Sequence, residues 1–221
     1  MSTADDVHAR KPPPVPLPGP VDGGDPQTMI GSSGSDTLTG DDKGDLILAQ
    51  DGDDSVIGGA AHDAINGMAG DDTVDGAGGD DLVLGGKGAD VLDGGDGDDA
   101  MNGNIGNDTV SGEAGEDVIH GGQGDDSLSG GADDDWLSGD KGNDTMTGGA
   151  GADTFNVFAG GGTEVVTDFN AAEGDKVHIE GNVPFTLAQV GDDVVITLVG
   201  HEIVTLQHVD LSTLSEGWIT H

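Results

Sequence analysis

Between Gly31 and Asn156 an apolar side chain recurs every ninth residue, from Leu38, Ile47 and Val56 through to Leu137, Met146 and Phe155. Each of them stands two residues after an aspartate. Cut at that period, the stretch is fourteen nonapeptides without an insertion. Position six is Asp and position eight is apolar in all fourteen, while position one is Gly in thirteen and position four is Gly in eleven. An acidic, glycine-rich linker has no reason to hold two columns at one phase fourteen times, so the period sets the architecture. After Asn156 the period is lost and strand-like alternation takes over. Val194–Val199 and Ile203–Leu206 read as paired strands, with Gly200-His201-Glu202 as the tight turn between them.

Composition sharpens this picture. The 221 residues carry 44 acidic and 6 basic side chains, a net charge of −38, with 33% hydrophobic and 3% aromatic residues. A large apolar core is excluded, and so is electrostatic binding to nucleic acid or to an anionic membrane, because the field has the wrong sign. With no cysteine there are no disulfides, zinc–thiolate sites or thiol catalysis. No apolar run is long enough for a membrane span. Residues 1–30 hold seven of the eight prolines and read as an extended tail or linker, the alternative being a Pro-rich recognition ligand. That segment lacks the apolar region of a cleavable secretory signal. High charge with low hydrophobicity ordinarily means disorder, so an ordered chain needs its charge neutralised from outside.

The nonapeptide consensus resembles GGxGxDxUx of the RTX (repeats-in-toxin) proteins, a calcium-binding parallel β-helix repeat. The resemblance covers residues 31–156 and implies an all-β chain, a parallel β-roll or β-solenoid of about seven 18-residue coils. Each unit is then a six-residue turn and a three-residue strand, and two units close a coil. Only position eight points inward, and fourteen small core residues do not offset the ordering of 126 residues at roughly 1–2 kcal/mol each. Calcium takes six to eight oxygens from carboxylates and carbonyls, which the turns supply. Glycines at positions one, two and four allow positive φ, and the position-six aspartate provides the carboxylate. In the family an ion sits between turns stacked on one side. Asp36, Asp54, Asp72, Asp90, Asp108, Asp126 and Asp144 line the odd side; Asp45, Asp63, Asp81, Asp99, Asp117, Asp135 and Asp153 line the even side. Six gaps per side allow up to about twelve Ca2+ ions. Residues 31–156 carry 28 Asp, 2 Glu and 3 Lys, a net −27, against which about twelve divalent ions set +24.

Lys43, Ala61 and Asp133, the position-four departures from Gly, all lie in even units, which predicts a complete odd ladder and weaker sites at the start of the even one. Position-five acids such as Asp71 and Asp98 read as solvent-facing charges rather than ligands or acid–base dyads. Residues 157–221 are expected to form a C-terminal β cap and secretion signal. Glu164 to Phe169 and Gly174 to Ile179 resemble the segment that follows RTX repeats, which implies a terminal ion at Asp168 and Asp175 but no role for Glu164. Val204–Leu206 and Val209–Leu214, with Trp218 and Ile219, are similar to the ends of proteins exported by type I secretion machinery. The seven histidines form no ligand spacing, and no catalytic motif occurs. The function expected is a non-enzymatic, secreted calcium-binding protein that folds outside the cell and self-associates in a surface layer, fibre or matrix. The alternative is the calcium-dependent folding and secretion domain of a larger RTX enzyme or toxin.

Overall fold

The structure is a computed structural model, and it describes residues 27–199 and 202–221. The proline-rich expectation for residues 1–26 and the Gly200-His201 part of the expected turn lie outside those residues. The chain winds as a parallel β-solenoid. Strands of the even-numbered nonapeptides stack in one sheet and those of the odd-numbered ones in the other. Within the repeats the register is eighteen residues: Ile47 pairs with Ile65, Val83 with Met101, and Val110 with Leu128.

Alternation of the side chains builds the core. Within Thr73–Gly78 the exposed Thr73 is followed by buried Val74, then half-buried Asp75 and buried Gly76. Ile47, Val56, Ile65, Val74, Val83 and their counterparts up to Phe155 form one file of apolar contacts along the axis, each at most 2% exposed. The strands are longer than three residues. Pairing runs through positions two and three of the following unit, as in Met68↔Gly86 and Ala69↔Lys87, so most strands span six residues and the turn narrows to three.

Position-one glycines have a packing cause rather than a conformational one, since none of them has positive φ. A Cβ on Gly76 would lie 2.5 Å from Oδ2 of Asp81 and 2.5 Å from the carbonyl oxygen of Gly94 in the next coil. Coils stack closely because a Cβ projects there only at Ala49.

The stack exceeds the repeats at both ends and closes about eight turns. Thr28–Ile30 pairs with Leu46–Leu48, ahead of the first nonapeptide. Beyond the last, Gly162–Val166 continues the odd sheet and Lys176–Ile179 the even sheet. The expected pair of C-terminal strands forms, antiparallel, with Val194 opposite Leu206 and Ile196 opposite Val204. Phe185–Val190 adds an antiparallel edge to it. Phe169 sits 6.2 Å from the Phe155 ring and 5.9 Å from that of Trp218, an aromatic cover over the last coil. A solenoid needs such a cover because its final apolar layer otherwise faces water. No helix among the described residues is long and apolar enough to cross a membrane.

Gly76→Ala should destabilise the folded roll by about 1–3 kcal/mol through overpacking. Gly78→Ala, where the nearest atom to a new Cβ is 3.7 Å away, should change it by less than about 0.5 kcal/mol. Denaturant unfolding of both variants in calcium measures the difference.

Candidate metal centre

The position-six aspartates stand where each turn re-enters a strand, with side chains turned under the turn. Thirteen of the fourteen, Asp45 to Asp153, are buried. One oxygen of each has a fixed partner. The backbone N–H of Asp81 donates to Oδ1 of Asp99 at 2.8 Å, and that of Asp99 to Oδ1 of Asp117 at 2.8 Å. The same eighteen-residue bond recurs from Asp36 N–H with Asp54 to Asp135 N–H with Asp153, at 2.6–3.0 Å. Each carboxylate therefore satisfies an amide of the preceding coil.

The second oxygen is different. Oδ2 of Asp54, Asp72, Asp90, Asp108, Asp126 and Asp144 on the odd side is buried without a hydrogen-bond partner. So is Oδ2 of Asp63, Asp81, Asp99, Asp117, Asp135 and Asp153 on the even side. An unpaired buried carboxylate oxygen is costly unless a proton or a cation meets it. Among these twelve units the two sides have the same carboxylate geometry. Lys43 and Ala61 avoid the strain by not adopting positive φ; Asp133 alone of the three is left-handed, at φ 77°.

The first unit on each side stands apart. Oδ2 of Asp36 accepts from Ser32 N–H at 2.5 Å, and Oδ2 of Asp45 from Asp41 N–H at 2.9 Å. The cause is the backbone at position two. Ser32 and Asp41 have ordinary φ and aim their N–H at the carboxylate. In the twelve later units position two has positive φ, whether it is Gly or one of Gln50, Met68, Ala77, Asn104, Glu113 and Asp140. The six non-glycine residues there cost roughly 1–2 kcal/mol each, so the chain holds strain beside six of the twelve orphaned oxygens.

Burial dominates the electrostatics. Desolvation pushes the carboxyls of Asp81 and Asp135 up to about 8, and those of Asp90, Asp99 and Asp117 up to about 7. The cross-coil amides act against this, and neighbouring carboxylates add to it. Among the described residues, no three His, Cys, Asp or Glu side chains converge on one point. A hard cation in a gap would take its carboxylate from position six and its remaining oxygens from turn carbonyls and water.

At the C-terminal end, Asp175 accepts at both oxygens, from Asp153 N–H at 3.1 Å and Asn170 N–H at 2.7 Å. Asp168 caps Gly148 N–H at 3.0 Å and Gly149 N–H at 2.9 Å. Neither offers an orphaned oxygen, whereas Glu164 does. Glu164 is buried, takes the place after Asp144 in the odd stack, and has its carboxyl pushed up to about 9, first by burial and then by the charge of Asp144. Its signal was present: Glu164-Val165-Val166-Thr167 repeats Asp-x-U-x with Glu for Asp. Position-five acids make an exposed ladder of the opposite sense, Asp71 accepting from Ala89 N–H at 2.8 Å and Asp98 from Glu116 N–H at 3.0 Å.

Comparison with known proteins agrees with this geometry. The profile of the RTX calcium-binding nonapeptide repeat (4 copies) matches residues 30–65, 57–92, 75–110, 93–128, 120–155 and 129–163, more than half of the chain. No curated protein sequence matches. The extracellular lipase LipA of Serratia marcescens is similar in structure at 22% identity and a TM-score of 0.33, covering 80% of this chain and 40% of the lipase. The AlgE6R3 subunit of the Azotobacter vinelandii mannuronan C5-epimerase is similar at 22% identity and a TM-score of 0.37, covering 60% of this chain and 79% of that subunit. The chain thus spans about 40% of the length of that lipase. With its repeats matched by profile, its coils in register and its carboxylates in two stacked rows, the chain belongs to the RTX calcium-binding nonapeptide repeat family and is a calcium-binding β-roll.

Proposed function

We propose that this chain is a secreted structural protein, exported unfolded by type I secretion and folded by calcium outside the cell. The observation that carries the reading is the row of buried Oδ2 atoms without partners. In the proposed sites Asp54 to Asp153 hold one calcium per gap, about twelve in all. Calcium, when bound, supplies the positive charge that lets these carboxylates stay ionised in the interior. The chain's own groups do the rest. Oδ1 fixes each carboxylate to the preceding coil, the left-handed residue at position two turns its N–H away from Oδ2, and the position-one glycine leaves the space beside it open. Asp36 and Asp45, already satisfied by N–H donors, contribute no full site.

Scarce cytosolic calcium keeps so acidic a chain extended enough to thread a secretion channel, while extracellular modules bind at about 10⁻⁴–10⁻³ M. No group in the roll is arranged for bond-making chemistry, so the role proposed is structural and non-enzymatic, in a surface layer, fibre or matrix, with self-association.

Circular dichroism against calcium tests the folding step. A coil-to-β transition is expected as calcium rises, and full β content in a chelator would overturn the reading. Asp99→Ala should raise the calcium midpoint several-fold and Asp36→Ala by little; equal effects would contradict the division between interior and end carboxylates.

The pH dependence has a definite sign. Carboxyls raised in the folded state favour folding while protonated, so without calcium that contribution is present below the unfolded value of about 3.9. It is lost as pH rises through the folded values of about 6 to 8. In chelator, acidification from pH 8 to pH 5 should therefore raise β content, and in calcium it should weaken ion binding. Chelator spectra that stay flat across that range would count against it.

A further inference from the structure

The two outer faces of the roll differ. Positions seven and nine lie on the outer side of both sheets, with Ala100 and Ser138 buried among them. On the odd sheet, from Thr37 to Thr147, ten of these fourteen positions are Ser or Thr, and Asp75 and Asp93 stand among them. On the even sheet, from Leu46 to Asn156, none of the fourteen is acidic, in a chain with 44 acidic residues. Leu46 is 41% exposed there, and Leu48, Leu82, Leu84 and Val118 are half-buried. Asp140 lies at the edge of this face, accepting from Ser138 Oγ at 2.7 Å and 3.0 Å from His120 Nδ1, but positions seven and nine themselves carry no carboxylate on a molecule of net −38, which suits them to an uncharged partner surface.

Over its first four coils the position-seven side chains of that face also alternate in size. At position seven the order is Leu46, Ala64, Leu82, Ala100, Val118, Trp136. The geometry points to a second copy of this chain as the partner, related by a two-fold axis that lies parallel to the strands and passes between Leu82–Lys87 and Ala100–Ile105. That operation reverses the coil order and sets large against small. Leu82 meets Ala100, Val118 meets Ala64, and at position nine Leu84 meets Asn102. Leu46 and Trp136 meet at the rim, where sheet twist opens the gap. A two-fold axis along the roll would instead set Leu82 on Leu84 and Ala64 on Asn66, ridge on ridge and hollow on hollow.

The patch measures roughly 30 by 10 Å from the strand spacing and rise. It falls below the about 800 Å² per partner of a stable complex, so the dimer is weak and concentration-dependent. Self-repulsion of the bare chain opposes it. Association therefore rests on the proposed calcium-loaded state and identifies the surface of the self-association proposed above.

The test uses the full chain, which has no native cysteine. Ala64→Cys and Val118→Cys chains are prepared separately, held in millimolar calcium at about 0.1 mM, and treated with a short bis-maleimide. The two-fold axis places the thiol of the Ala64→Cys copy opposite that of the Val118→Cys copy, and sets like positions about 14 Å apart along the stack. A cross-linked dimer is expected from the mixture and little from either chain alone. Leu82→Asp should abolish association in sedimentation while keeping the calcium-induced β signal, and Thr73→Asp on the odd sheet should leave both unchanged. Monomers with an intact β signal, or efficient cross-linking of each single variant with itself, would overturn the proposal. Loss of the β signal in the parent chain would instead overturn the calcium reading beneath it.

Discussion

Everything in this fold hangs on a carboxylate that is half satisfied. Each interior position-six aspartate gives one oxygen to an amide of the preceding coil and leaves the other buried without a partner. The first oxygen makes the aspartate a structural cross-link between coils. The second makes the apo roll unfavourable, because a desolvated charge resists burial unless a proton or a cation meets it. Under the proposed function, fold and ion binding become one property of one side chain.

The rest of the turn serves that arrangement. Left-handed backbone at position two removes an amide that would otherwise saturate the carboxylate, as happens at Asp36 and Asp45. That conformation is held even by Met68 and Ala77, whose side chains gain nothing local from it. Position-one glycines let the coils approach, and the small apolar file from Ile47 to Phe155 fills the narrow interior they leave. The cap follows the same logic. Phe169 and Trp218 cover the last apolar layer, Asp168 and Asp175 meet the last free amides, and Glu164 extends the odd row of orphaned oxygens.

Much of this was legible in the amino-acid order. The ninefold recurrence of aspartate and an apolar residue marks the coil, the two rows of carboxylates and the inward file, because a strict period leaves a solenoid few alternatives. The Val194–Leu206 strand pair was legible from alternation. What escaped is what depends on peptide orientation. Position two gives no residue signal, since Gln50, Met68, Ala77 and Glu113 share its conformation with glycines. Strand length escaped because pairing through positions two and three is set by neighbouring coils. Glu164 was discounted for its identity although its register continues Asp144. The position-four strain expected at Lys43 and Ala61 is absent because neither adopts positive φ.

The net charge of −38 changes meaning in this light. Within residues 31–156 the acids include two buried rows and an exposed row of cross-coil caps, and none stands at positions seven and nine of the even sheet, an order that a solvated acidic tail would not need. The most direct test is native mass spectrometry of the folded chain with a count of bound calcium. About twelve ions per chain is the expected result, matching the twelve orphaned position-six Oδ2 atoms; a folded chain carrying about three or fewer would contradict the account.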